Sequence, residues 1–312
     1  MTQESVSAAD AFLGWKFGMM LSFNMSTFHD MTWTNGYEDP ATFAPDKLDC
    51  GQWADAATKA GMKYGVLTVK HTGGWCLWDS QYTSHDATAF INYKDGKGDI
   101  VREYAESFRE RDLKVGFYYC FPGDFSGKLG NVLPEGARDL HGMPPEAEGN
   151  YAGFIKKQLT ELLTQYGSVD LMWIDQYANR YTGEQWKTLK GHIKSLQPNC
   201  LVIGNNSIDG QETDVHSYEY PWLKPNAPER ALPPEDNDVP AEVCDKMGPG
   251  WFWKSWEDET NLMEAEEVVR MLRLCNSRMA NYLLDVAPDK SGLIPDHSVQ
   301  RLEEVGELRS GP

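Results

Sequence analysis

The sequence predicts an α/β fold: a (β/α)8-like TIM barrel with irregular helices in its second half. Three observations carry this expectation. Short, nearly continuous apolar runs alternate with longer segments of helical period. Seven such runs can be counted, with an obscure eighth between residues 242 and 253. No Gly-rich phosphate loop follows the first run, which sets a doubly wound open sheet second. Strands apolar along their whole length belong to a parallel sheet buried on both faces. One barrel commonly takes up a chain of 312 residues, so 1–312 is read as a single domain.

The elements follow in order. Residues 16–23 (KFGMMLSF) read as a strand, and 51–60 as a helix ending at Gly61. The β-branched run 63–70 is the second strand, and 99–111 is an amphipathic helix with Ile100, Tyr104 and Phe108 at spacing four. Strand 114–121 precedes helix 151–166, and strand 169–175 precedes helix 184–196, which stops before Pro198. Residues 201–204 and 215–220 are shorter strands. Helix 264–278, strand 282–286 and helix 297–308 close the chain. The segment 225–240 holds five prolines and reads as a loop over one face, able to move.

Composition narrows the function. With 29 Lys+Arg against 47 Asp+Glu the formal charge is −18, which argues against nucleic acid and against anionic membrane surfaces. No apolar run approaches the roughly 20 residues of a spanning helix, and residues 1–10 lack a basic-then-apolar leader. The protein is expected to be soluble, with periplasmic, secreted and cytoplasmic locations all open. Six widely spaced cysteines form no CxxC pair and read as isolated buried thiols, so neither a disulfide framework nor a metal site is expected. Eleven Trp, 14 Tyr and 12 Phe, several beside polar residues at strand ends, suit a carbohydrate site, where flat rings pack on sugar C–H faces.

In a parallel barrel the carboxyl ends of the strands converge on the face that carries the active site. The polar residues at those ends are Ser22 and Asn24, His71 and Thr72, Tyr118 and Tyr119, Asp175, and Glu219, with Glu242 at the start of the obscure strand. No Ser-His-Asp order, nucleophile elbow or His-x-x-x-His pair appears. Carboxylates dominate, and a pair of them is the minimal apparatus for cleaving a glycosidic bond. Leu171, Trp173 and Asp175 share one strand face, which carries the Asp175 carboxylate into the mouth; a helix cap or loop anchor is the alternative reading. Glu219 lies among Tyr218, Tyr220 and Trp222, a shell that would desolvate it as a general acid needs; its alternative is a surface loop glutamate. His71 could equally be a hydrogen-bonded core histidine.

Several of these segments together resemble glycoside hydrolase family 29, the α-L-fucosidases. They are Lys16-Phe17-Gly18-Met19 with Trp33, Gln52-Trp53-Ala54, Leu67 to His71, Trp75 to Ser80, Gly116 to Tyr119, Leu171 to Asp175 and Asn281 to Leu284. The resemblance runs over about residues 15–310 and covers the catalytic barrel, without that family's C-terminal β-sandwich. It implies a retaining double displacement on an oligosaccharide or glycoconjugate, with no cofactor. By resemblance Asp175 is the nucleophile, Glu219, 44 residues on, is the acid/base, and Glu242 is an alternate acid. Ser22, Trp33, His71, Thr72, Trp78, Tyr119, Trp173 and Trp251 fall at or near positions that line the sugar subsite.

There are departures from the family's pattern. Ser22 and Thr72 stand where the family has histidines, Thr32 where it has Glu, and Gly73-Gly74 where it has Asp-Gly. Small hydroxyl residues in these places predict a roomier pocket. That motivates an alternative L-sugar substrate altered at C4, either α-L-glucoside-like or substituted there, or a catalytically silent sugar-binding barrel. Oligomeric state is not encoded in any motif.

Overall fold

The computed structural model describes residues 8–120, 151–175, 183–205, 212–220 and 232–310. Eight parallel strands close on themselves in sequence order. They are β1 Phe17–Leu21, β2 Tyr64–Lys70, β3 Lys114–Cys120, β4 Leu171–Asp175, β5 Leu201–Gly204, β6 Val215–Glu219, β7 Ala241–Lys246 and β8 Ala280–Asp285. The helices are α1 Ala8–Leu13, α2 Met25–Phe28, α3 Cys50–Lys59, α4 Ile100–Arg109, α5 Tyr151–Gln165, α6 Gly183–Leu196, α7 Ala265–Ser277 and α8 Asp296–Ser310. Among the described residues no regular helix stands between β5 and β7. Residue 121 of the expected third strand, Trp222 and residues 225–231 of the Pro-rich segment lie outside the described residues.

Local chemistry explains the boundaries. Asp49 Oδ1 accepts the amides of Gly51 and Gln52, starting α3, and Asp99 Oδ1 accepts that of Arg102, starting α4. Ile100, Tyr104 and Phe108 are all buried against the barrel, as their spacing predicts. The obscure strand is β7. Its run Ala-Glu-Val-Cys-Asp-Lys hides the strand pattern behind three charges, yet its first five residues are buried. The six cysteines are free and buried. No helix among the described residues is long and apolar enough to cross a membrane.

Alternate residues of each strand enter the barrel. Met20, Tyr118, Leu171, Trp173, Ile203 and Leu283 form one interior cluster, while their neighbours pack outward under the helices. The sequence reading missed α1, which closes the bottom of the barrel. Phe12 and Trp15 meet the Tyr64 ring at centroid distances of 5.8 and 5.5 Å, and Asn281 Nδ2 donates to the Phe12 carbonyl at 2.7 Å. Tyr64 crosses the barrel only because Gly18 faces it: a Cβ there would lie 2.3 Å from the ring.

Glu242 is fully enclosed in this interior. Its Oε2 accepts the Tyr64 hydroxyl at 2.6 Å and its Oε1 the Trp173 indole N–H at 2.8 Å. Burial raises its pKa to about 7 despite both bonds, because a charged carboxylate is poorly solvated there. The unfolded chain ionises Glu242 near its ordinary 4.5, so between about 4.5 and 7 the native state binds more protons and loses stability as pH rises. Glu242→Gln removes this titration. Denaturant midpoints measured across pH should show wild type losing stability relative to Glu242→Gln from about pH 4.5 to 7 and running parallel to it above. Parallel curves throughout would mean that Glu242 ionises normally.

Candidate active site

The period of two along each strand decides which polar side chains reach the mouth. On β4, Leu171 and Trp173 fill the interior and Asp175 continues their column to a partly exposed position. On β3 the inward column runs through Tyr118 to Cys120, and the Tyr118 hydroxyl donates to Asp175 Oδ2 at 2.6 Å. On β5 the column Leu201, Ile203 continues to Asn205, just past the strand end. On β6 it ends in Glu219, also partly exposed.

Asn205 ties the two carboxylates together. Its Nδ2 donates to Asp175 Oδ1 at 3.0 Å and to Glu219 Oε2 at 2.8 Å. Both bonds start at one nitrogen, so these two oxygens cannot be farther apart than the two lengths together, 5.8 Å. An amide NH2 has one proton for each bond, so a single neutral side chain holds two negative groups close without being charged itself.

His71 sits beside this pair. Its ring stacks on Tyr118 at 5.6 Å, and Phe252 meets it edge-on at 4.8 Å. Burial depresses its pKa to about 3, so the ring is neutral at ordinary pH. The Thr72 hydroxyl already accepts the Thr34 amide and lies 3.2 Å from His71 Nδ1. The Thr72 hydroxyl thus engages Nδ1 and fixes the ring's orientation. Trp173 lies buried beneath, stacked 5.4 Å from Tyr118 and fixed by Glu242. Trp251 is half-buried and packs on the interior cluster at the mouth, and Trp33 is half-buried in the loop after β1.

Several expectations change here. Tyr119 faces outward, and its hydroxyl donates to Gln158 of α5 at 2.6 Å; Tyr118 is the tyrosine of the mouth. Trp78 is also outside the barrel, its N–H donated to Glu161 of α5 at 2.9 Å and its side chain fully buried. Glu242, the alternate acid, is sealed below Trp173 and cannot reach a substrate in the mouth. The tyrosines flanking Glu219 pack outward with the helix-side core, so they do not form a shell over its carboxylate.

The small residues are also not vacant space. Ser22 is buried, and its amide donates to Asp285 Oδ1 at 3.1 Å. Asp285 is itself buried, which pushes its pKa well above the usual carboxylate range. Thr72 is clasped by Thr34, whose hydroxyl donates to the Thr72 carbonyl. Gly73 follows at φ 85°, and a Cβ on it would lie 2.6 Å from Thr34 Oγ1, so this clasp fills the place a larger side chain would need. Of Thr32 the structure records the carbonyl, which accepts the Ser26 hydroxyl at 3.2 Å.

Asn205 is the residue the sequence reading did not name, while Tyr118 was named at its strand end but passed over for Tyr119. The signal existed: Asn205 stands two residues beyond Ile203, as Asp175 stands two beyond Trp173. Among the described residues, no group of three or more His, Cys, Asp or Glu is arranged to hold a metal ion.

Comparison with known proteins agrees with this barrel. The family model described as Alpha-L-fucosidase matches residues 5–309. A relative from Oryza sativa subsp. japonica that carries an alpha-L-fucosidase 1 name is 32 % identical over 311 residues, covering 93 % of this chain and 56 % of its own. Alpha-L-fucosidase 1 of Arabidopsis thaliana is 28 % identical over 322 residues, covering 96 % and 59 %. The chain thus spans under two thirds of the length of these relatives. The solved structure of alpha-L-fucosidase isoenzyme 1 from Paenibacillus thiaminolyticus superposes with a TM-score of 0.75 at 30 % identity, covering 97 % of this chain and 76 % of that one. A match over almost the whole barrel, from before β1 to the end of α8, leaves one assignment: this chain belongs to the alpha-L-fucosidase family.

Proposed function

We propose that this barrel hydrolyses terminal α-L-fucosyl residues of oligosaccharides or glycoconjugates, with retention of configuration. The observation that carries the reading is the shared Asn205 amide, which keeps one oxygen of each group, Asp175 Oδ1 and Glu219 Oε2, within 5.8 Å of each other. Retaining enzymes need roughly 5–5.5 Å between their carboxyl groups, whereas inverting ones need roughly 6.5–9.5 Å to admit water. Both carboxylates stand at the strand ends, partly exposed, where a sugar can reach them.

In this reading Asp175 attacks the anomeric carbon and the leaving oxygen takes a proton from Glu219, giving a covalent fucosyl–Asp175 ester. Water, losing its proton to Glu219, then breaks that ester and restores both groups. The Tyr118 hydroxyl and the Asn205 amide each hold one Asp175 oxygen, which orients the carboxylate for attack. Asn205 holds Glu219 by its Oε2, which orients that carboxyl group toward the leaving oxygen. Neutral His71 supplies a donor without adding charge. The names of the relatives speak for fucose, and Ser22 and Thr72, which motivated a C4-altered sugar, are tied into the barrel's own hydrogen bonds. A silent sugar-binding barrel is not favoured either, since it has no use for two carboxylates held at this spacing.

Two variants test the reading. Asp175→Gly should lower hydrolysis of an aryl α-L-fucoside by roughly 10³-fold or more, with azide restoring turnover as a fucosyl azide. Wild-type rates in that variant would remove Asp175 from the chemistry. Asn205→Ala loses a charge-assisted bond to each carboxylate and should cost about 10- to 100-fold in kcat/KM. The loss should be larger for poor leaving groups than for activated aryl ones, because the former depend more on the acid. An equal loss across leaving groups would contradict a role for Asn205 in placing Glu219.

A further inference from the structure

The loops after β1 and β7 are clasped to each other on the catalytic face of the barrel. Asp30 Oδ1 accepts the Ser255 amide at 2.7 Å, and Lys254 Nζ donates to the Asp30 carbonyl at 2.9 Å. Lys290, in the loop after β8, lies 3.8 Å from Asp30 Oδ2 and 6.0 Å from the centre of the Trp253 ring. The clasp joins three loops at one point. Next to it, on either side, stand two large apolar side chains in water: Trp256 is 61 % exposed and Met31 38 %. The Trp256 backbone is not loose, since Asn261 Nδ2 donates to its carbonyl at 3.0 Å.

The segment that ends at Trp256 begins in the site. Trp251 packs at the mouth, Phe252 lies on His71, His71 stacks on Tyr118, and Tyr118 holds Asp175. Ring contacts therefore run from the candidate nucleophile out to Phe252, and four residues of chain lead on from there to Trp256. The direction matters. In the closed ring of eight strands, β8 is diametrically opposite β4, and the clasped loops follow β7, β8 and β1. A nucleophile on β4 expels its leaving group on the far side of the anomeric carbon, toward the loops that carry Trp256 and Met31.

Resting on the reading of Asp175 as nucleophile, we propose that Trp256 is a stacking platform for the leaving-group sugar, the residue to which fucose is attached. A fixed indole face standing in water suits the apolar C–H face of a pyranose. The rigid clasp spares the ordering cost a free loop would incur on binding. The platform selects fucose carried on a glycan over fucose on a small aglycone.

The test compares two substrates. α-L-Fucosyl fluoride expels a single ion and touches no platform; a trisaccharide with terminal α-L-fucose expels a disaccharide that would cover it. Trp256→Ala should raise KM for the trisaccharide about tenfold and leave kcat and KM for the fluoride within about twofold. Trp256→Phe should recover part of the loss. An unchanged trisaccharide KM in Trp256→Ala, or an equal loss on both substrates, overturns the platform while the fucosidase reading stands. Should the wild type release neither fluoride nor sugar, the fucosidase reading is what fails. Calorimetric binding of the same trisaccharide then decides the platform: it stands if Trp256→Ala abolishes binding and falls if binding is unchanged.

Discussion

The constraint on which the rest of this molecule depends is the alternation of side chains along parallel strands closed into a ring. It sends every second residue inward and fixes what each column delivers at the mouth. Shifting β4 by one residue would bury Asp175 among the helices and bring Ile174 to the substrate. The interior columns also support one another. Glu242 fixes the Trp173 indole, Trp173 stacks under Tyr118, and Tyr118 holds Asp175, so a buried carboxyl at the lower end of the barrel bears on the orientation of Asp175 at the mouth. Keeping Glu242 protonated makes that arrangement tolerable, since a buried unpaired charge would cost far more than a neutral carboxyl with two donors.

Most of the fold was legible because its signals are local. Apolar runs such as Leu171 to Ile174, aspartate caps at Asp49 and Asp99, and the four-residue period of α4 each act within one element. What was not legible depends on phase or distance. Tyr118 and Tyr119 are chemically identical neighbours, and only register decides which enters the mouth. Pairing between β2 and β3 slips between Thr68 and Lys70, next to these tyrosines, so counting along β2 does not settle the phase. Trp78 and Trp173 look alike as residues beside polar groups, yet Glu161 takes the first outside the barrel and Glu242 the second inside. Asn205 was overlooked because a neutral amide attracts no attention until both of its acidic partners are seen around it.

Recognition follows the same logic of partners already taken. Ser22 and Thr72 read as gaps in a sugar-binding shell when seen only as replacements for larger polar residues. In the fold the Ser22 backbone is anchored to Asp285 and the Thr72 hydroxyl to the Thr34 amide, so both positions are tied into the barrel's own hydrogen bonds. Among the described residues, the mouth brings together His71, Asn205 and the two carboxyl groups, framed by Tyr118 and Trp251.

The central claim is that Asp175 and Glu219, held by one amide, act by double displacement. The most direct measurement of it is the configuration of the sugar at the moment of release. Proton NMR during hydrolysis of an aryl α-L-fucoside, recorded before mutarotation, should show α-L-fucose forming first. First appearance of the β-anomer would mean that water attacks in a single step and would contradict the account.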